Sequence, residues 1–207
     1  MTAPCREQVK HDYPDRPDGR SPVRRVALRA RCHDVRMTDP QAPDAAETGE
    51  RIEVSRIVRA DPAAVFALLT DPQGHVAIDS SGMLMGADGE RVTAAGDTFV
   101  VHMDREALGD VPLGEYDVTV TIGDFEQDRL ISWSVLGKVR PQIGHVYGYR
   151  LTPVEGGTEV VSFYDWSDIH PEWRARGIFP VISEASLKAT LGILARTVAP
   201  YRRADHS

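Results

Sequence analysis

The chain has little cysteine: two residues among 207, Cys5 and Cys32. Both fall in its first 32 positions, and neither has a cysteine neighbour at metal-ligand spacing. That excludes a disulfide framework and a cysteine-rich zinc site, and makes a reducing cytoplasm the expected location. No run of about 18 apolar residues occurs, so no integral membrane segment is expected. Positive charge is scarce too. The formal net charge is -7, where a general nucleic-acid binder would show a basic face, so no nucleic-acid partner is expected. There is no GxGxxG after a strand, no P-loop and no GxSxG nucleophile elbow. His75, His102, His145 and His170 are not clustered at metal-ligand spacing. Neither a metal nor any other cofactor is therefore expected.

What is present is an ordinary globular composition, 42% hydrophobic and 27% charged, with 17 Gly and 14 Pro. Positive charge gathers at the amino terminus. Residues 1–37 carry nine Arg or Lys against five acids, a net +4 that leaves -11 for the rest. Pro4, Pro14, Pro17 and Pro22 interrupt any helix there, and 38–50 shows no apolar period. Residues 1–50 are expected to be a disordered extension. Two readings of 1–36 stand side by side: a basic tail for nucleic acid or an anionic membrane surface, or an addition ahead of a start at Met37. The five acids count against a mitochondrial transit peptide. A short tail, 201–207, is expected to follow the folded part.

From residue 51 to residue 200 the pattern is strand, helix, many strands, helix. Ile52 and Val54 alternate in a first strand that runs on to Ile57 and Val58. Asp61 and Pro62 open a helix carrying Val65, Phe66, Leu68 and Leu69. Residues 72–78 add a helical turn weakened by Gly74. Turn signals then recur at 86–89, 95–97, 109–110, 123–124, 137 and 155–157. Between them strands are predicted at 98–103, 115–122, 130–136, 144–152 and 158–166, an antiparallel meander. Tyr116, Val118, Val120 and Ile122 share one face, as do Ile131, Trp133 and Val135. A closing helix is predicted over 180–199, with Leu187, Leu191, Leu194 and Val198 on one stripe and Glu184 four residues before Lys188. The class is α+β.

Several segments carry a family resemblance. They are Ala60 to Phe66 after the first strand, Leu69 to Pro72 with His75, Gly96 to Phe99, Leu151 to Pro153, and Gly156 to Val160. In this order the chain resembles the Bet v 1-like, START-related superfamily over about 50–200. The closer likeness is to its polyketide cyclase/dehydrase and lipid transport (SRPBCC) branch. The resemblance implies a helix-grip fold, in which a curved antiparallel sheet wraps a long C-terminal helix around an internal cavity for an apolar ligand.

The residues that could meet such a ligand follow from strand alternation. His145, Tyr147 and Tyr149 share a face, and their imidazole and phenols could hydrogen-bond a carbonyl-rich ligand or act as acid and base. Trp133, Tyr116 and Tyr164 complete the expected ligand-binding set; aromatic packing is the alternative role for all six. Tyr164 alternates with Phe163 on a strand whose two faces are both partly apolar, which leaves its direction open. Asp165 and Asp168 read as turn and cap residues, and His102 as exposed or structural. Binding of a lipid or polyketide-like molecule, as carrier or sensor, is the expected function. A polyketide cyclase or aromatase is the alternative, and a partner-binding role like that of co-chaperones in the same superfamily is a further one.

Overall fold

The structure is a computed structural model that describes residues 49–106 and 112–199. The predicted extension before residue 49, the turn at 109–110 and the tail at 201–207 lie outside the described residues. The first strand, β1 (Arg51–Val58), is followed by α1 (Pro62–Leu69) and α2 (Pro72–Ile78). Then come β2 (Leu84–Asp88), β3 (Thr98–Asp104), β4 (Glu115–Glu126), β5 (Leu130–Leu136), β6 (Val146–Val154) and β7 (Gly157–Asp165). A short α3 (Pro171–Ala175) precedes the closing α4 (Glu184–Val198). The seven strands form one sheet in the order β1-β7-β6-β5-β4-β3-β2. Every pairing is antiparallel.

Alternation decides which residues are buried. Phe99 and Val101 of β3, Val118, Val120 and Ile122 of β4, and Ile131 of β5 point into the core, as do Leu151 of β6 and Val160 of β7. The core lies between this face and the helices. From α1 come Val65, Phe66 and Leu69, and from α4 come Leu187, Leu191 and Leu194. Burying each of these large side chains contributes ~1.5–3 kcal/mol. Ser183 caps α4 by accepting from the Ser186 amide at 3.1 Å. Glu184 and Lys188 form the expected ion pair on its outer side. The α+β sheet with its C-terminal helix is thus as expected.

Four local expectations need correcting. Residues 84–88 are an edge strand rather than a turn, with a register shift between Leu84 and Gly86. Gly123 and Asp124 do not turn the chain. They lie within β4 where its register against β5 shifts between Ile122 and Phe125, and the reversal comes at Asp128, in the left-handed region at φ 58°. The closing helix predicted from residue 180 begins only at Glu184, after the Ser183 cap, and a separate short helix stands ahead of it, where His170 Nδ1 accepts from the Glu172 amide at 3.3 Å and Pro171 occupies the first helical position. Finally, Gly74 allows α2 rather than weakening it. A Cβ there would sit 1.9 Å from the Leu68 carbonyl oxygen, so only glycine lets α2 fold back against α1.

Candidate functional site

The inward positions of the sheet carry a continuous run of rings. His75 of α2 lies between Phe99 and Trp133, with ring centroids 5.0 and 4.8 Å away. Trp133 stacks on Tyr147 at 6.2 Å and tilts toward Tyr149 at 5.8 Å. Tyr147 and Tyr149 are two residues apart on β6, opposite Trp133 and Ile131 in register. Tyr147 packs on Tyr164 at 4.9 Å and on His145 at 5.1 Å. Tyr164 stacks in turn on Trp166, and Phe179 stands edge-on to His145.

Exposure along this face is graded. Ile131, Tyr149 and Leu151 are buried, whereas Trp133, Val135, Tyr147, Tyr116 and Met103 are only half-buried. The face is sealed where the helices cover it. It opens toward the end where β3 finishes and β4 and β6 begin.

Five of the six residues singled out from sequence, Trp133, His145, Tyr147, Tyr149 and Tyr164, meet in this ring network. Tyr116 stands at its open rim, near enough to Tyr147 to influence it electrostatically. The direction left open for Tyr164 is inward: it is fully buried, and its hydroxyl lies 3.0 Å from His145 Nδ1. His75, Phe99, Trp166 and Phe179 also belong to the network but were not singled out. Their strand or helix neighbours are ordinary core residues, and only tertiary packing joins them to the others.

The electrostatics follow from dryness. Burial lowers His145 to about 4. It does the same to His75, although the Leu69 carbonyl, which accepts from His75 Nε2–H at 2.8 Å, and the nearby Asp71 oppose it. Both imidazoles are neutral at pH 7. Burial pushes Tyr149 up to about 12, with Ser162 beside it acting the other way. Tyr147 and Tyr164 are raised well above the usual phenol range, again by burial. No Asp, Glu, Lys or Arg occupies an inward position of β3 through β7. Arg105 lies just beyond β3, and its charge is felt at Tyr147.

Two surface depressions lie elsewhere. One, of about 320 Å³, is on the convex side of the sheet beside Arg51, Phe163 and Arg150. There the Arg51 guanidinium sits 4.2 Å from the Phe163 ring centre and pairs with Asp165 at 2.8 Å, while Arg150 pairs with Glu53 at 2.7 Å. Phe163 lies directly over Gly148, where a Cβ would come within 2.3 Å of its ring. The other, about 260 Å³, lies between α1 and residues 91–93 and 125–128. Neither is lined by any of the six candidates. Asp165 serves as the expected turn residue, accepting from the Ser167 amide and hydroxyl. His102 is on the outer face, between Asp117 at 2.8 Å and Asp88 at 2.9 Å, and those two carboxylates raise its pKa. Among the described residues no group of three or more potential metal ligands comes together. No described helix is long and apolar enough to cross a membrane.

A curved antiparallel sheet closed by a C-terminal helix, with an uncharged aromatic inner face, defines a helix-grip α+β protein. The family model for polyketide cyclase/dehydrase and lipid transport matches residues 50–199, and the chain belongs to this family. Among curated proteins none matches it. Solved structures share the fold. A protein from Rhodobacter sphaeroides aligns at TM-score 0.56 and 20% identity, over 76% of this chain and 97% of its own. One from Mycobacterium smegmatis aligns at 0.52 and 11%, over 72% and 90%. One from Chromobacterium violaceum aligns at 0.51 and 15%, over 73% and 99%.

Proposed function

We propose that this protein binds a hydrophobic small molecule, lipid or polyketide-like, against the inner face of its sheet, as a carrier or sensor. The observation that carries this reading is the inner face itself: mainly aromatic and aliphatic from β3 to β7, with the Thr158 and Ser162 hydroxyls on β7, free of ionised side chains, and half-open at one end. Mostly apolar concave surfaces with a few polar tips are the usual form of small-molecule sites. The ligand enters past residues 178–182. Phe179 of that segment covers His145, and Ile178 and Val181 beside it are exposed.

Acid–base catalysis receives less support from the same geometry. A general acid or base works best with a pKa near the operating pH. His145 is held near 4, and Tyr147 and Tyr164 are pushed upward, so none of them changes protonation near neutrality. Placing a chain of carbonyls for aldol closure would then have to rely on orientation alone.

The test is titration with diphenylhexatriene, an uncharged hydrocarbon fluorophore. The expected result is saturable binding that Tyr147→Arg abolishes, because it puts a guanidinium into the half-buried trough. Thr119→Arg is the control, since Thr119 points to the opposite face of the sheet. Equal binding by Tyr147→Arg and the parent would overturn the assignment.

A further inference from the structure

We propose that the His145–Tyr164 pair presents one neutral hydrogen-bond donor, His145 Nε2–H, to a carbonyl oxygen of the ligand. This rests on the binding reading above and deepens it by naming the acceptor chemistry. His145 is only 7% exposed, and its Nδ1 lies 3.0 Å from the Tyr164 hydroxyl. The Val181 backbone N–H donates to the Tyr164 oxygen and so works against the rise that burial imposes on that phenol. The phenol proton therefore needs an acceptor elsewhere. Among the described residues the only one within reach is His145 Nδ1. A phenol O–H donating to Nδ1 leaves the proton of a neutral imidazole on Nε2.

Nε2 then has nothing to donate to: it makes no hydrogen bond to any described residue. Nor is it sealed. Among the described residues the one sealed side-chain polar atom without a partner is Gln142 Oε1, so Nε2 still borders accessible space. Trp133 Nε1 and the Tyr147 hydroxyl share that condition, and their rings are the ones packed in series with His145. These three groups, on rings packed in series along the half-open inner face and without an acceptor among the described residues, suit acceptors supplied from outside the chain.

The acceptor should be neutral. His145 is packed among Tyr147, Tyr164 and Phe179, so a carboxylate set against it would be stripped of water opposite uncharged rings, and an ammonium likewise. A ketone, ester or similar carbonyl on an otherwise apolar skeleton matches one N–H set in an aromatic wall. His145 is the contacting residue. Tyr164 is a positioning residue that fixes the imidazole tautomer.

The experiment compares three probes at pH 7. They are a dodecanoyl naphthalene ketone, diphenylhexatriene, which has no acceptor, and the polyene carboxylate parinaric acid. His145→Phe should weaken the ketone about 2- to 10-fold, the range for one neutral hydrogen bond, and leave diphenylhexatriene unchanged. Nitrogen-15 NMR of the wild-type imidazole should show the Nε2-protonated tautomer, and Tyr164→Phe should remove that preference. Unchanged ketone affinity, or an equal loss for the hydrocarbon, overturns the inference while leaving the binding reading intact. A larger loss for parinaric acid than for the ketone overturns the neutral-acceptor class. Should His145→Phe fail to fold, the wild-type tautomer decides, and a proton on Nδ1 overturns the proposal. Failure of all three probes to bind the wild type would instead sink the binding reading itself.

Discussion

Two imidazoles locked neutral in the core make this fold sensitive to mild acid. His75 has a folded pKa of about 4 against an ordinary 6.5. Above pH 6.5 it is neutral folded or unfolded and contributes no pH dependence. As the pH falls below 6.5 the unfolded chain takes up the proton and the folded chain does not, so stability falls until the folded pKa near 4 is reached. At pH 5 the loss from this one residue is about 2 kcal/mol. His145, lowered to about 4 by the same burial, loses a comparable amount. Together they remove a large part of the ~5–15 kcal/mol that a domain has. His102 has the opposite sign: its two carboxylates raise its pKa, so its contribution is present in acid and fades as pH rises. The carboxylates of Asp165, Glu53 and Asp97 are lowered, so their losses begin only near pH 4 and below. The assay is urea unfolding of the wild type and His75→Gln at pH 7 and pH 5. Gln does not titrate and keeps an N–H for the Leu69 carbonyl. The stability lost between the two pH values should be about 2 kcal/mol smaller in the variant. Equal losses in both proteins would refute the claim that His75 is buried neutral.

Two further outcomes test the packing. Leu191→Asp sets an unpaired carboxylate at a position only 1% exposed on α4 and should cost several kcal/mol or abolish folding, read as a lost urea transition; an unchanged midpoint would mean that α4 does not close the core. Gly148→Ala should destabilise by ~1–3 kcal/mol, because the new Cβ collides with the Phe163 ring and lies 2.7 Å from the Ile131 carbonyl oxygen. Adding Phe163→Ala should recover part of that loss, and full additivity of the two changes would mean that the ring does not lie over the glycine.

Alternation made most of the sheet legible before any coordinates. Tyr116, Val118, Val120 and Ile122 were readable as one face because a pleated strand has a period of two. The stripe of α4 was readable for the corresponding reason at 3.6. β2 was not readable, because Gly86 sits in the middle of a strand of only five residues, Gly89 follows it directly, and only Ala87 is buried. Gly123 and Asp124 look like a turn in isolation. Only the partner strand reveals a bulge, with Ser132 Oγ accepting from the Asp124 amide and donating to its carboxylate. The candidate site was half legible for the same reason. Strand alternation grouped His145 with Tyr147 and Tyr149, but β7 has apolar residues on both faces, and pattern alone could not say that Tyr164 rather than Phe163 turns inward. The distinction comes from Gly148, whose missing side chain makes room for Phe163 on the convex side.

The pairing of β1 with β7 has a consequence for how the molecule is made. Arg51 sits opposite Asp165 and Val58 opposite Thr158, so the strand synthesised first must wait for the strand synthesised last. α4, which covers the inner face, follows later still. The other five pairings join strands consecutive in sequence, so this non-local one is the pairing that waits, while the chain emerges from the ribosome at ~5–20 residues per second. During synthesis the aromatic strands β5 and β6 therefore exist for several seconds without their cover. A nascent chain stalled or cleaved before residue 184 would present that greasy trough to the cell. The residues suited to hold a hydrophobic guest are thus the same ones that expose an unfinished chain to aggregation.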